Sequence, residues 1–396
     1  MLGRILTAAT VAITAIWMVA PGAAEAQDKV RIGASLSLTG TLARSGEPLR
    51  KGYVLWAEDV NRRGGIQGRP VEMVVYDDQS DSSTAAKLYE KLITEDQVEL
   101  LLGPYGSSMS NAAAAVVDKH KRALLLPAAA SSAIFERGYT HTFQMFPPLG
   151  PVFDPIFDQW AKQFDLKSVA VINSDDFYPK VLGDILAAKA ERQGLEVVLR
   201  EQFPINTKDF SSLVLKLRAA KPDVLTGGLQ LPDSLILMRQ LREFGVLPKV
   251  LAFSPAPLVK DFQETLQTDA EFVMADYLWA ANNPDAASKA FVKAYEERWD
   301  EAPTVHSAFG WSGGLVLEAA LAKAGSFDDD KIREAFLELE VSTLLAGPFR
   351  IRAPENKQVG HQLGVTQWQN GKNEIVWPES VATAPVAIPA RPYDQR

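Results

Sequence analysis

Residues 98–119 read VELLLGPYGSSMSNAAAAVVDK. The run from Val98 to Leu102 is apolar except for Glu99 and closes on three consecutive leucines, as expected of a strand covered on both faces. It stops at Gly103, and a turn of small and hydroxyl-bearing residues, Tyr105-Gly106-Ser107-Ser108, opens an alanine-rich helix. A buried strand, a small polar turn and a helix are one half of a parallel βαβ unit. The first N–H groups of such a helix have no intrahelical acceptor, so the junction offers donors to an anion.

The same alternation extends in both directions. Upstream, VRIGASLSL (30–38) is strand-like, LTGTLARSGEPLRKG (38–52) reads as a loop, and 52–65 as a helix that stops at Gly64-Gly65. VEMVVYDD (71–78) and 83–96 repeat strand and helix, and RALLLPAAA (122–130) is a fourth strand. FQMFPPLGPVFDP (143–155) carries four prolines and reads as a crossing between lobes. The pattern then restarts with strands at 166–176, 195–203, 224–230 and 249–254, and helices at 178–194, 210–223 and 234–245. After Asp276 come longer helices over 287–301 and 306–325, a short one over 329–339, and a hairpin-like ending turning at Asn370-Gly371. The residues alone therefore predict an α/β protein with two similar, mainly parallel units.

Composition narrows the function. The formal charge of −8 is the same once a leader carrying Arg4 and Glu25 is removed, and it excludes a basic nucleic-acid footprint. Arg4, the apolar stretch from Ile5 to Ala20 and Ala24-Glu25-Ala26 predict a secretory signal cut after Ala26. No later segment is long and apolar enough to span a bilayer. There is no cysteine, which excludes zinc-thiolate sites, cysteine nucleophiles and lipid attachment to an N-terminal cysteine. Export without such an anchor predicts a protein of a bacterial periplasm.

Catalytic patterns are missing. His120, His141, His306 and His361 stand far apart without metal spacing and read as surface or packing residues. There is no G-x-S-x-G elbow, dinucleotide-binding turn or P-loop. Asp77-Asp78 and Asp175-Asp176 fall at strand ends, where capping and turn formation account for them as well as catalysis does. The positive signal is a set of small polar loops at strand carboxyl ends, where ligands of open α/β sheets bind. These are TGTLARSGE (39–47) with Ser45, DDQSDSS (77–83), GPYGSS (103–108) with Ser107 and Ser108, and PAAASS (127–132) with Ser131 and Ser132.

IGASLSLTG (32–40), GYVLWAEDVNRRGGIQGRPVEMVVYDD (52–78), LLGPYGSSMS (101–110), LLLPAAASS (124–132) and GYTHTF (138–143) resemble the periplasmic branched-chain amino-acid-binding proteins, in order and spacing. These belong to the type I solute-binding proteins that serve ABC importers. The resemblance runs on through GVTQWQNGK and IVWPE near the end. It implies two similar three-layer lobes joined by a three-segment hinge, the ligand between them. Residues 27–147 plus about 278–350 would form the N-terminal lobe, and 148–277 plus about 351–396 the C-terminal one. It also implies a monomer that takes no cofactor and hands its solute to membrane permease subunits.

Carried over by position, Ser107 falls where a family serine binds the ligand carboxylate, and Ala128 where backbone groups touch the ligand. Ala130 stands in place of a threonine that contacts the same head group. Tyr178 matches a tyrosine that closes over the ligand, with Phe177 its neighbour, and Gln230 lies where an aromatic residue often stands. In AFSPAPLVKDF (252–262) the family's amino-acid binders place a glutamate against the ligand ammonium, and here the residue is Ala256. An ammonium closed into a cleft without a counter-charge costs several kcal/mol. The expected ligand is therefore a small organic acid, aromatic acids included. Ser107, Ser131 and backbone N–H groups would hold its carboxylate, and Tyr105, Tyr178 and either Phe177 or Trp279 its body. The alternative is an amino-acid or amide binder whose counter-charge has moved to Asp176 or Asp276. A periplasmic sensor subunit is a third reading, and an enzyme on the same scaffold a distant fourth.

Overall fold

The computed structural model describes residues 29–396, so the signal peptide expected over 1–26 lies outside the described residues. The first unit runs β1 (Val30–Leu36), α1 (Ala43–Arg62), β2 (Val71–Asp77), α2 (Ser82–Thr94), β3 (Leu100–Leu102), α3 (Ser107–Lys119), β4 (Leu124–Leu126) and β5 (Thr142–Gln144). Its strands form an all-parallel sheet in the order β2-β1-β3-β4-β5. The second unit runs α4 (Ala161–Gln163), β6 (Ser168–Ser174), α5 (Phe177–Arg192), β7 (Glu196–Phe203), α6 (Ser211–Ala220), β8 (Val224–Leu229), α7 (Leu231–Glu243), β9 (Val250–Pro255), α8 (Lys260–Leu266) and β10 (Val273–Tyr277). Its parallel strands lie in the order β7-β6-β8-β9-β10, the same winding as the first sheet.

The chain then leaves the second sheet for α9 (Ala286–Trp299), α10 (Val305–Ala324) and α11 (Asp329–Glu338). β11 (Glu340–Val341), β12 (Phe349–Arg352) and β13 (Lys357–Gln358) form a small antiparallel sheet beside β5, where the Gln144 N–H bonds the Asn356 carbonyl at 3.0 Å. From β14 (Gly364–Gln369) to β15 (Lys372–Trp377) the chain is an antiparallel hairpin added to β10. Its turn is Asn370-Gly371, both at positive φ, as a tight hairpin turn requires.

Local chemistry accounts for the helix starts. Asp81, Asp285 and Asp328 each cap a helix by accepting the N–H three residues on. The stretch 38–52, expected to be a loop, differs: α1 begins at Ala43 and continues through Gly46, Pro48 and Gly52. Two of these apparent breakers serve close packing. A Cβ on Gly46 would sit 2.1 Å from the Ser37 carbonyl oxygen, and one on Gly52 2.1 Å from that of Ser307 in α10. Thus α10, far away in sequence, lies against α1, with Trp56 fully buried under Gly314. Thr142–Gln144, expected at the edge of a crossing, is a fifth strand because its backbone pairs with β4.

Candidate ligand-binding cleft

Both sheets turn their strand carboxyl ends toward one cavity lined by residues of both units. The first unit contributes Tyr105, Gly106, Ser107 and Ser108 after β3, Ala128 and Ala130 after β4, and Phe146 after β5. The second contributes Asp176 and Tyr178 after β6, Gln230 after β8, Ser254, Pro255 and Leu258 at the end of β9, and Asp276 in β10. His306 and Phe309 enter from the first turns of α10.

The turn after β3 leads directly into α3, and no serine side chain caps the helix. Gly106 is the N-cap of α3 at φ +85°, a left-handed conformation that disfavours a side chain, and its N–H bonds the Ala128 carbonyl at 3.1 Å. Ser107 Oγ accepts the Ser131 N–H at 3.1 Å, which leaves the hydroxyl proton free to donate. Ser131 is fully buried and does not line the cavity; its backbone orients Ser107. Ser108 Oγ donates to Asp176 Oδ1 at 2.8 Å, across the cleft. Ser45, expected at the ligand, lies buried in α1 away from the lining.

On the opposite wall Tyr178 Oη and Ser254 Oγ are 2.6 Å apart, and either hydroxyl can donate in that pair. Asp276 is 1% exposed and its Oδ1 has no hydrogen-bond partner among the described residues. Burial pushes its carboxyl up to about 6, opposed in part by the polar Ser254 side chain. His306 is buried as well, with Nε2 3.4 Å from the Tyr105 hydroxyl and Nδ1 unpartnered. Burial holds its imidazole neutral, at about 3. Among the described residues, two carboxylates and no lysine or arginine line the cavity.

Residues 29–373 match the family model described as periplasmic binding protein. The chain belongs to the periplasmic binding protein family. It is a solute-binding protein and not an enzyme. It is 26% identical over 392 residues to the Leu/Ile/Val-binding protein homolog 7 of Brucella suis, with 93% of this chain and 96% of that protein covered. Among solved structures it resembles the branched-chain amino acid transporter substrate binding protein of Streptococcus pneumoniae in complex with isoleucine. The TM-score is 0.78 at 22% identity, over 91% of this chain and all (100%) of that one. It also resembles a solute binding protein of an ABC transporter from Rhodopseudomonas palustris in complex with 3,4-dihydroxy benzoic acid. There the TM-score is 0.77 at 21% identity, over 93% and 99% of the two chains.

Of the residues singled out in the sequence, Tyr105, Ser107, Ser108, Ala128, Ala130, Tyr178 and Gln230 meet in the cavity. Ala256 does not: it is fully buried in the second unit's core with Phe253 and Leu229, and Pro255 takes its place in the lining. Phe177 packs on the first unit's core, and Trp279 is buried with its indole N–H on Ser288 Oγ at 2.9 Å; neither lines the cavity. Ser254 was missed, although the strand-end rule applied to the first unit marks it too. His306 and Phe309 had no signal, because only the return of α10 brings them there.

Proposed function

We propose that this protein is the periplasmic solute-capturing subunit of an ABC importer, taking a small solute with a carboxylate at one end and a positive or strongly donating group at the other. The observation that carries the reading is the unpaired, buried Asp276 in a cavity whose lining has no cationic side chain. A simple anion would meet Asp176 and Asp276 with no counter-charge but the helix starts. An ammonium beside Asp276 supplies one, as in an amino acid. Removing one partner of a buried pair costs about 3–5 kcal/mol. The carboxylate would lie at the start of α3, on the Ser107 hydroxyl and the free N–H groups.

This is the relocated counter-charge. β9 and β10 are neighbouring parallel strands, so a carboxylate at the end of either reaches the same cleft edge. The bound ligand would touch both sheets' loops and favour the closed arrangement by its differential affinity. Aromatic acids form a second reading, supported by the rings of Tyr105, Phe146, Tyr178 and Phe309 and by a carboxyl at Asp276 that is half protonated near pH 6. Isothermal titration of the chain, refolded to strip carried solute, against amino acids and benzoates separates the two. On the first reading Asp276→Asn loses roughly 100-fold or more for amino acids. Tight benzoate binding that Asp276→Asn leaves unchanged, with no amino acid bound, would reject it.

A further inference from the structure

His306 lines the solute cavity at 2% exposure, between the rings of Tyr105 (centroids 5.1 Å apart) and Phe309 (6.0 Å). Its Nε2 faces the Tyr105 hydroxyl at 3.4 Å, while Nδ1 is buried and has no hydrogen-bond partner among the described residues. A wall meant only for an aliphatic or plain phenyl body needs no imidazole there, and a phenylalanine would leave nothing unsatisfied. We infer that the solute carries a hydroxyl or amide on the part of its body that meets His306, so that purely aliphatic branched side chains are the poorer ligands. The inference rests on the cavity being the solute site.

The hydrogen-bond directions favour groups of that kind. Either the phenol donates to Nε2 and Nδ1 carries the ring hydrogen, or Nε2 carries it and donates to the phenol, and Nδ1 accepts. A hydroxyl or a primary amide both donates and accepts, and so satisfies either tautomer. A methyl group satisfies neither. Because burial keeps the imidazole neutral, it selects by direction and not by charge. Asp276 remains for the ammonium or other donor at the solute's end.

The test is isothermal titration of the refolded full chain with size-matched pairs: valine and threonine, leucine and asparagine, phenylalanine and tyrosine, benzoate and 4-hydroxybenzoate. In at least one pair the polar member should bind about tenfold or more tightly. His306→Phe should remove that preference, and His306→Asn, which returns a polar atom near Nδ1, should keep much of it. The wild-type ratio stands whether or not a variant folds. Apolar members binding as tightly as their partners in every pair would overturn the inference and leave the importer reading in place. So would a polar preference that a folded His306→Phe retains. If no member of any pair bound, the reading of the cavity as a small-solute site would fall first, and this inference with it.

Discussion

Ser108 Oγ donates to Asp176 Oδ1 at 2.8 Å, joining the first turn of α3 to the cap of α5 across the cleft. Asp176 is fixed for this by the Phe177 N–H at 2.8 Å and Gln230 Nε2 at 3.2 Å. Hydrogen bonds to charged groups contribute about 1.5–3 kcal/mol. Ser108→Ala should therefore weaken solute binding by about tenfold, mostly through faster release, as stopped-flow fluorescence would register. The rim pair Arg44–Asp261, 3.1 Å apart with the arginine 70% exposed, is a contrast. Arg44→Ala should change affinity less than about twofold, and the difference should vanish in high salt.

Asp276 destabilises the ligand-free fold at neutral pH. Its carboxyl titrates near 6 in the folded chain against 3.8 as the ordinary value. The folded state therefore binds the proton more tightly, and its stability falls as pH rises from about 4 to about 6. Asp276→Asn should raise stability at pH 7 by on the order of 2–3 kcal/mol and change it little at pH 4, read by denaturant titration. Binding of an ammonium-bearing solute should run the other way in the wild type, tightening up to tenfold per pH unit below about 6 as Asp276 ionises.

His361 ties the β13–β14 connection to the segment after β5, its Nδ1 2.9 Å from the Met145 carbonyl oxygen. Burial lowers the imidazole from 6.5 to about 4, so the stability it contributes is complete above about pH 6.5 and is lost as pH falls toward 4. His361→Asn keeps a donor for the carbonyl but does not titrate. The expected result is a flatter acid limb between those pH values, by on the order of 3 kcal/mol, whatever the variant's stability at pH 7.

Gly228 is the point where α5 presses on β8: a Cβ there would lie 2.4 Å from Pro179 Cα. Backbone cannot swing aside as a flexible side chain does, so α5 must shift. Gly228→Ala should cost about 1–3 kcal/mol. It should also displace Tyr178, the residue before Pro179, and weaken binding. Calorimetric melting and titration of the same sample would show both effects; an unchanged affinity with a lowered Tm would place the shift away from the cleft.

Much of this fold was legible because buried parallel strands and amphipathic helices carry local periodicities. The restart of the pattern at residue 166 is visible for that reason. What misled was glycine. Gly46 and Gly52 look like loop residues in isolation, yet they are places where backbone meets backbone inside and beside α1. A one-dimensional pattern does not distinguish a glycine needed for a turn from one needed for contact.

The site divides along the same line. Sequence by itself determined the donor half: Gly106, Ser107 and Ser108 are contiguous, and a helix start exposes its N–H groups wherever it is placed. The fate of each serine was decided by tertiary structure, with Ser108 turned to Asp176 and Ser131 held behind Ser107. So was the other half of the cavity. Asp276, Ser254 and His306 belong to separate elements, and they meet only because β9 and β10 end at one edge and α10 packs back onto α1. Chain neighbours fix a local conformation; which distant carboxylate or imidazole is stripped of water and left unpaired depends on what the whole fold packs around it.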